Sequence, residues 1–190
     1  MALTPSTMLE LGTPAPSFAL PDVVSGDKIT LESFAGKPAL LVMFVCRHCP
    51  FVKHVEEELA QLGRDYAARG AGIVAISSNS AASHPDDAPP KLREMAERLG
   101  FVFPYCYDAS QDVAKAYRAA CTPDFFLFDG EQRLVYRGQL DDSRPGNGKP
   151  VTGADLRAAL DAVLEGGPVA AAQTPSMGCN IKWIQAPDYA

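Results

Sequence analysis

The sequence has no long apolar run: the longest, Pro38 to Cys46, is nine residues, against the ~20 that span a bilayer as a helix. A membrane span is therefore not expected. Cations are in the minority, 17 Lys and Arg against 23 Asp and Glu, for a net charge of −6. Affinity for a phosphate backbone comes from Lys and Arg, so nucleic acid is not an expected partner. Residues 1–12 hold no Lys or Arg and include Glu10, unlike the basic lead of a secretory signal; the expected compartment is the cytoplasm. No second Cys-x-x-Cys and no His-x3-His is present to complete a zinc site. Gly146-Asn-Gly148-Lys149 lacks the strand–loop–helix setting of a phosphate loop and reads as a structured surface loop. Neither a metal nor a cofactor is expected.

What is there is an ordinary globular composition, 47% apolar and 21% charged. With ~150 residues per domain as a guide, 190 residues make one domain with additions, large enough to bury a core without covalent staples. Five cysteines, at 46, 49, 106, 121 and 179, cannot all pair within one monomer. They are also too sparse for a disulfide scaffold. Their expected role is chemical.

Gly26-Asp27 between two short apolar runs predicts an N-terminal hairpin. The run Ala39 to Val45 predicts a strand buried on both faces. Val52, Val55, Leu59, Leu62 and Tyr66 then recur at helical steps, with Gly70 as the stop. Gly72 to Ile76 is a second buried strand, followed by a helix over about 91–99 and another, capped by Asp108 or Ser110, reaching Tyr117. Asp124–Phe128, the turn Asp129-Gly130 and Arg133–Tyr136 form a hairpin, and Thr152 with Asp155 resembles a capping box for a last helix. The order predicts an α/β layer fold. Its expected divisions are a lead at 1–11, a domain at 12–166 and a C-terminal extension at 167–190 packed on that domain through Ile181, Trp183 and Ile184.

Cys46-Arg47-His48-Cys49 falls where the buried strand gives way to the helix. Two thiols at this spacing can close a disulfide on one turn. A helix N-terminus favours the thiolate, which is the nucleophile of disulfide exchange. Arg47, and His48 when protonated, should favour the charged form further, so Cys46 is the expected accessible nucleophile of lowered pKa. Thr122-Pro123, at the entry to the Phe-rich strand, is a candidate cis bond. Cys106, among aromatics, is expected in the core. His54 and His84 read as surface or helix-face residues. Cys121 and Cys179 are candidate additional thiols, and whether Cys179 faces the active site is left open.

These motifs resemble a known family. The order of a Cys-x-x-Cys at a strand end, a Thr-Pro before a hairpin and a final helix looks like the thioredoxin fold. Phe18-Ala-Leu20, Gly36-Lys37-Pro38 and Phe44-Val-Cys-Arg-His-Cys-Pro50 resemble the branch of alkyl hydroperoxide reductase and thiol-specific antioxidant proteins. Cys121-Thr-Pro-Asp-Phe-Phe126, the segment Leu140 to Lys149 and Gly178-Cys-Asn-Ile-Lys-Trp183 look like its peroxiredoxin-like thioredoxin subgroup. The resemblance implies a central mixed sheet flanked by helices, with an N-terminal β-hairpin and a C-terminal extension. It also implies Cys46 as attacking thiol, Cys49 as resolving thiol, and a cis Thr122–Pro123 bond whose backbone pairs with an extended substrate.

Three positions depart from the patterns of the family. If Cys49 takes the peroxidatic place, Cys46 stands where peroxiredoxins have Thr and Val42 where they have Pro; Leu40 stands where thioredoxins carry a buried acid. The expected activity is therefore thiol-disulfide exchange with protein or small-molecule disulfides and a thiol electron donor, ahead of peroxide reduction. His48 is the nearest group for proton transfer. Copper handling, suited to paired thiolates, ranks below both, because that branch has Cys-x-x-x-Cys-Pro and this chain has Cys-x-x-Cys-Pro.

Overall fold

The computed structural model describes residues 3–189. In chain order its strands and helices are β1 (Leu3–Pro5), β2 (Ala19–Pro21), β3 (Lys28–Thr30), β4 (Ala39–Phe44), α1 (Pro50–Ala67), β5 (Gly72–Ser77), α2 (Pro89–Leu99), β6 (Tyr105–Tyr107), α3 (Asp112–Ala116), β7 (Cys121–Thr122), β8 (Asp124–Asp129), β9 (Leu134–Gly138), α4 (Ala154–Leu164) and β10 (Met177–Asn180). A central mixed sheet has the order β6-β5-β4-β8-β9, with β4 parallel to β5, β5 parallel to β6, and β8 antiparallel to both its neighbours. β2 and β3 form the N-terminal hairpin.

The apolar run of β4 is continuous because both faces of the sheet are covered. Leu41 and Met43 pack with Leu59 and Leu62 of α1, Leu92 of α2 and Leu156 of α4. Leu40, Val42 and Phe44 face the other way, onto the N-terminal hairpin and Tyr117. This is the two-residue alternation of a strand with apolar side chains on each face. On the second face Phe44, Phe126 and Tyr117 meet with ring centroids 5.6–5.8 Å apart, each pair worth ~0.5–1.5 kcal/mol beyond area burial.

Two expected caps take other forms. The N-cap of α4 is Gly153, at φ +65°, rather than Thr152. The Asp155 side chain instead accepts from Gln139, and Asp141 Oδ2 accepts from the Thr152 and Gly153 N–H groups, each at 2.7 Å. A remote carboxylate replaces the local box. Gln111, also in the left-handed region, precedes α3, while Ser110 and Asp108 still accept N–H groups from that helix. Ile181 is buried and Trp183 packs on the second core, but Ile184 is exposed.

Sequence reading missed β6, β1 and β10. The last two form a separate sheet of order β1-β10-β7, which joins both ends of the chain to the strand entering the Thr122–Pro123 bond. Among the described residues, no helix is long and apolar enough to cross a membrane.

Candidate active site

β4 delivers Cys46 and α1 begins behind Cys49. The Val45 N–H donates to the Ile76 carbonyl at 3.0 Å, extending the sheet to the doorstep of Cys46. Cys49 is the N-cap of α1, followed by Pro50 at the first helical position, where its missing N–H costs nothing and its fixed φ suits the helix. The Thr122–Pro123 bond is cis, as expected. Thr122 lies between the two thiols: its Oγ1 is 3.2 Å from Cys46 Sγ and its carbonyl oxygen 3.3 Å from Cys49 Sγ.

The electrostatics reverse the expected assignment. Cys46 was expected to be the accessible thiol of lowered pKa, yet both Cys46 and Cys49 are 0% exposed. Burial pushes the Cys46 thiol well above its usual range, and the nearby Asp87 charge adds to this. Cys49 is brought down to about 5, chiefly by the hydrogen bond from Cys46; burial opposes this, and further hydrogen bonds from Cys179 and the Val52 N–H assist. The pair thus keeps its proton on Cys46 and its charge on Cys49, at the positive end of the helix. Arg47 does not supply the expected field, because its guanidinium turns to Asp86 at 3.4 Å and Glu94 at 3.9 Å.

Asp87 is the principal residue that sequence reasoning missed. It is 0% exposed. Oδ1 accepts the N–H groups of Arg47 and His48 at 2.8 and 3.1 Å, while Oδ2 accepts from Asn79 Nδ2 at 2.8 Å and from the His48 ring. Burial raises its pKa, but the bonds from His48 and Asn79 outweigh it and leave the carboxyl below its usual value. Asp87 therefore clamps the turn inside the motif and places His48 Nδ1 3.8 Å from Cys46 Sγ. The adjacent Pro85-Asp-Asp turn was the available signal, but nothing in it marks contact with the cysteines.

His84, expected at the surface or on a helix face, lies against His48 with ring centroids 4.7 Å apart and the planes tilted by 35°. The two line a hollow of about 300 Å³ with Ser83, Pro85 and Asp86. Of the other thiols, Cys179 joins the site with its Sγ 2.7 Å from Cys49 Sγ. Cys121 turns its Sγ to the Pro123 carbonyl instead. Cys106 is in the core, as expected, its thiol pushed up to about 12 by burial. Cys46 Sγ, His48 Nδ1 and Asp87 lie within 4.8 Å of one another, the donor set a zinc ion would use. Every Asp87 oxygen is already engaged by N–H groups, so the cluster fits a hydrogen-bond network better than a metal centre.

Residues 11–137 match the AhpC/TSA family. A solved structure of an uncharacterized conserved protein from Geobacillus kaustophilus is 54% identical, with TM-score 0.96, covering 98% of this chain and 99% of that one. Thiol-disulfide oxidoreductase ResA from Geobacillus kaustophilus is 29% identical over 143 residues, 72% of this chain and 75% of the relative. The thioredoxin domain of a thiol-disulfide oxidoreductase from Bacteroides vulgatus shares the fold, at 22% identity and TM-score 0.56 over 68% of this chain and 88% of that one. With its mixed sheet and the match over most of its length, the chain belongs to the AhpC/TSA family and is a thioredoxin-like oxidoreductase.

Proposed function

We propose that Cys46 and Cys49 form a redox couple that reduces protein or small-molecule disulfides and is itself restored by a thiol electron donor. The observation that carries this reading is the arrangement around Thr122, which brings Cys46 Sγ and Cys49 Sγ to its hydroxyl and carbonyl at 3.2 and 3.3 Å. Cys49, the sulfur held as thiolate, attacks one sulfur of the substrate disulfide and expels the other as a thiolate. Cys46 then attacks Cys49 Sγ, releasing the second substrate thiolate and closing the Cys46–Cys49 bond. Two thiols are oxidised and one disulfide is reduced. The departing substrate thiolate takes up the Cys46 proton. This reverses the roles implied by the sequence resemblance.

A peroxidase is the second reading, favoured by the low pKa of Cys49 at a helix start. Peroxide cleavage needs donors aimed at the leaving oxygen, and a missing one costs ~10²–10³ in rate. Here the neighbouring donor is the Cys46 thiol, which is weak. The cytoplasm remains the proposed compartment, to be checked by fractionation.

Side-by-side steady-state rates with a protein disulfide and with hydrogen peroxide test the reading. Cys49→Ser should fall to the uncatalysed rate with the disulfide, and Cys46→Ser should no longer form the Cys46–Cys49 disulfide. Full activity in Cys49→Ser would remove the proposal. Peroxide turnover at ~10⁵ M⁻¹s⁻¹ or above, an efficient enzyme's range, would favour the peroxidase.

A further inference from the structure

The main-chain edge beside the cis bond, expected to receive a substrate, is filled by the chain's own C-terminal segment. β10 runs antiparallel to β7, with Cys179 opposite Thr122 and Asn180 opposite Cys121. Gly178 allows this approach, since a Cβ there would lie 2.0 Å from the Thr122 carbonyl oxygen. On its other edge β10 pairs with β1, Leu3 opposite Cys179. Ser176 secures the entry, its Oγ donating to the Pro123 carbonyl at 2.7 Å and its N–H to Ser6 Oγ at 3.0 Å. The segment is held on both sides and carries Cys179 Sγ to 2.7 Å from Cys49 Sγ. Cys49 accordingly has a sulfur neighbour on each side, Cys46 and Cys179, and both hydrogen-bond to it.

We propose that Cys179 is a second resolving thiol for Cys49, making this a three-sulfur site with two alternative disulfides. The inference rests on the reading of Cys46 and Cys49 as a redox couple. After Cys49 has attacked a substrate disulfide and holds half of it, Cys179 loses its proton and attacks Cys49 Sγ. The Cys49–Cys179 bond forms, the Cys49–substrate bond breaks, and the departing thiolate takes up the proton. The substrate disulfide is the oxidant, so electrons balance without another reagent. A dithiol donor, or Cys46 by internal exchange, then reopens the Cys49–Cys179 bond.

The test uses glutathione disulfide as probe, acid quenching, alkylation and mass mapping of disulfide-linked peptides. In Cys46→Ser, glutathione should leave Cys49 and a Cys49–Cys179 peptide should appear, whereas in Cys46→Ser/Cys179→Ser the adduct on Cys49 should persist. An adduct equally persistent in both variants overturns the proposal. Wild-type protein provides a check free of folding effects: across graded ratios of reduced to oxidised glutathione, Cys49–Cys179 should appear beside Cys46–Cys49, and its absence at every ratio overturns the proposal. Cys179→Ser separates the two claims, because a failure to form Cys46–Cys49 there would count against the underlying couple and not against Cys179.

Discussion

Asp87 reaches the motif from a turn far along the chain and satisfies four donors at once: two main-chain N–H groups, the Asn79 amide and the His48 ring. A buried donor left without an acceptor costs ~1–3 kcal/mol. Asp87→Ala should therefore destabilise the reduced protein by more than ~2 kcal/mol in chemical denaturation. Asp87→Asn, which keeps an acceptor for the main chain, should lose less. Equal, negligible losses in both would show that the carboxylate is not the clamp described. The cysteine pair was legible in the sequence because its spacing is local, but its charge distribution was not. That distribution depends on a thiol from residue 179, a carboxylate from residue 87 and the outward turn of Arg47, none of which leaves a local signal.

Elements whose burial pattern repeats along the chain were readable: α1 from its three- and four-residue apolar steps, β4 from its unbroken run, and β8–β9 from aromatic residues around Asp129-Gly130. Short strands were not. β1 spans three residues and β10 four, too few for a period to show, and their pairing is a contact between the two ends of the chain. The cap of α4 was misread because Asp141 acts on it from outside the helix. β10 also carries a specific expectation. A methyl at Gly178 would collide with the Thr122 carbonyl, and forced overpacking typically costs ~1–3 kcal/mol. Gly178→Ala should lift β10, raising amide hydrogen exchange at Gly178–Asn180 and in β1 while the central sheet stays protected. Unchanged exchange there would contradict the tight approach.

At the scale of the whole molecule, two apolar cores sandwich one mixed sheet, and the site lies where β4 runs out between them. The fold class was legible because the order of strands and helices constrains a layered sheet strongly. The covered substrate edge was not, since it depends on the path of the last residues. The central claim is that the fold stores one negative charge on Cys49 and one proton on Cys46. Helix placement, the bonds that Cys49 receives and the Asp87 charge beside Cys46 act in that direction, against the burial of Cys49 and the Thr122 carbonyl 3.3 Å from its Sγ. The most direct measurement is the ultraviolet absorbance of thiolate in the fully reduced protein as pH is raised. The account predicts one thiolate appearing with a midpoint at about 5 and absent in Cys49→Ser. A first midpoint near ~8.5, the value of an unperturbed cysteine, or a low midpoint that survives in Cys49→Ser, would contradict it.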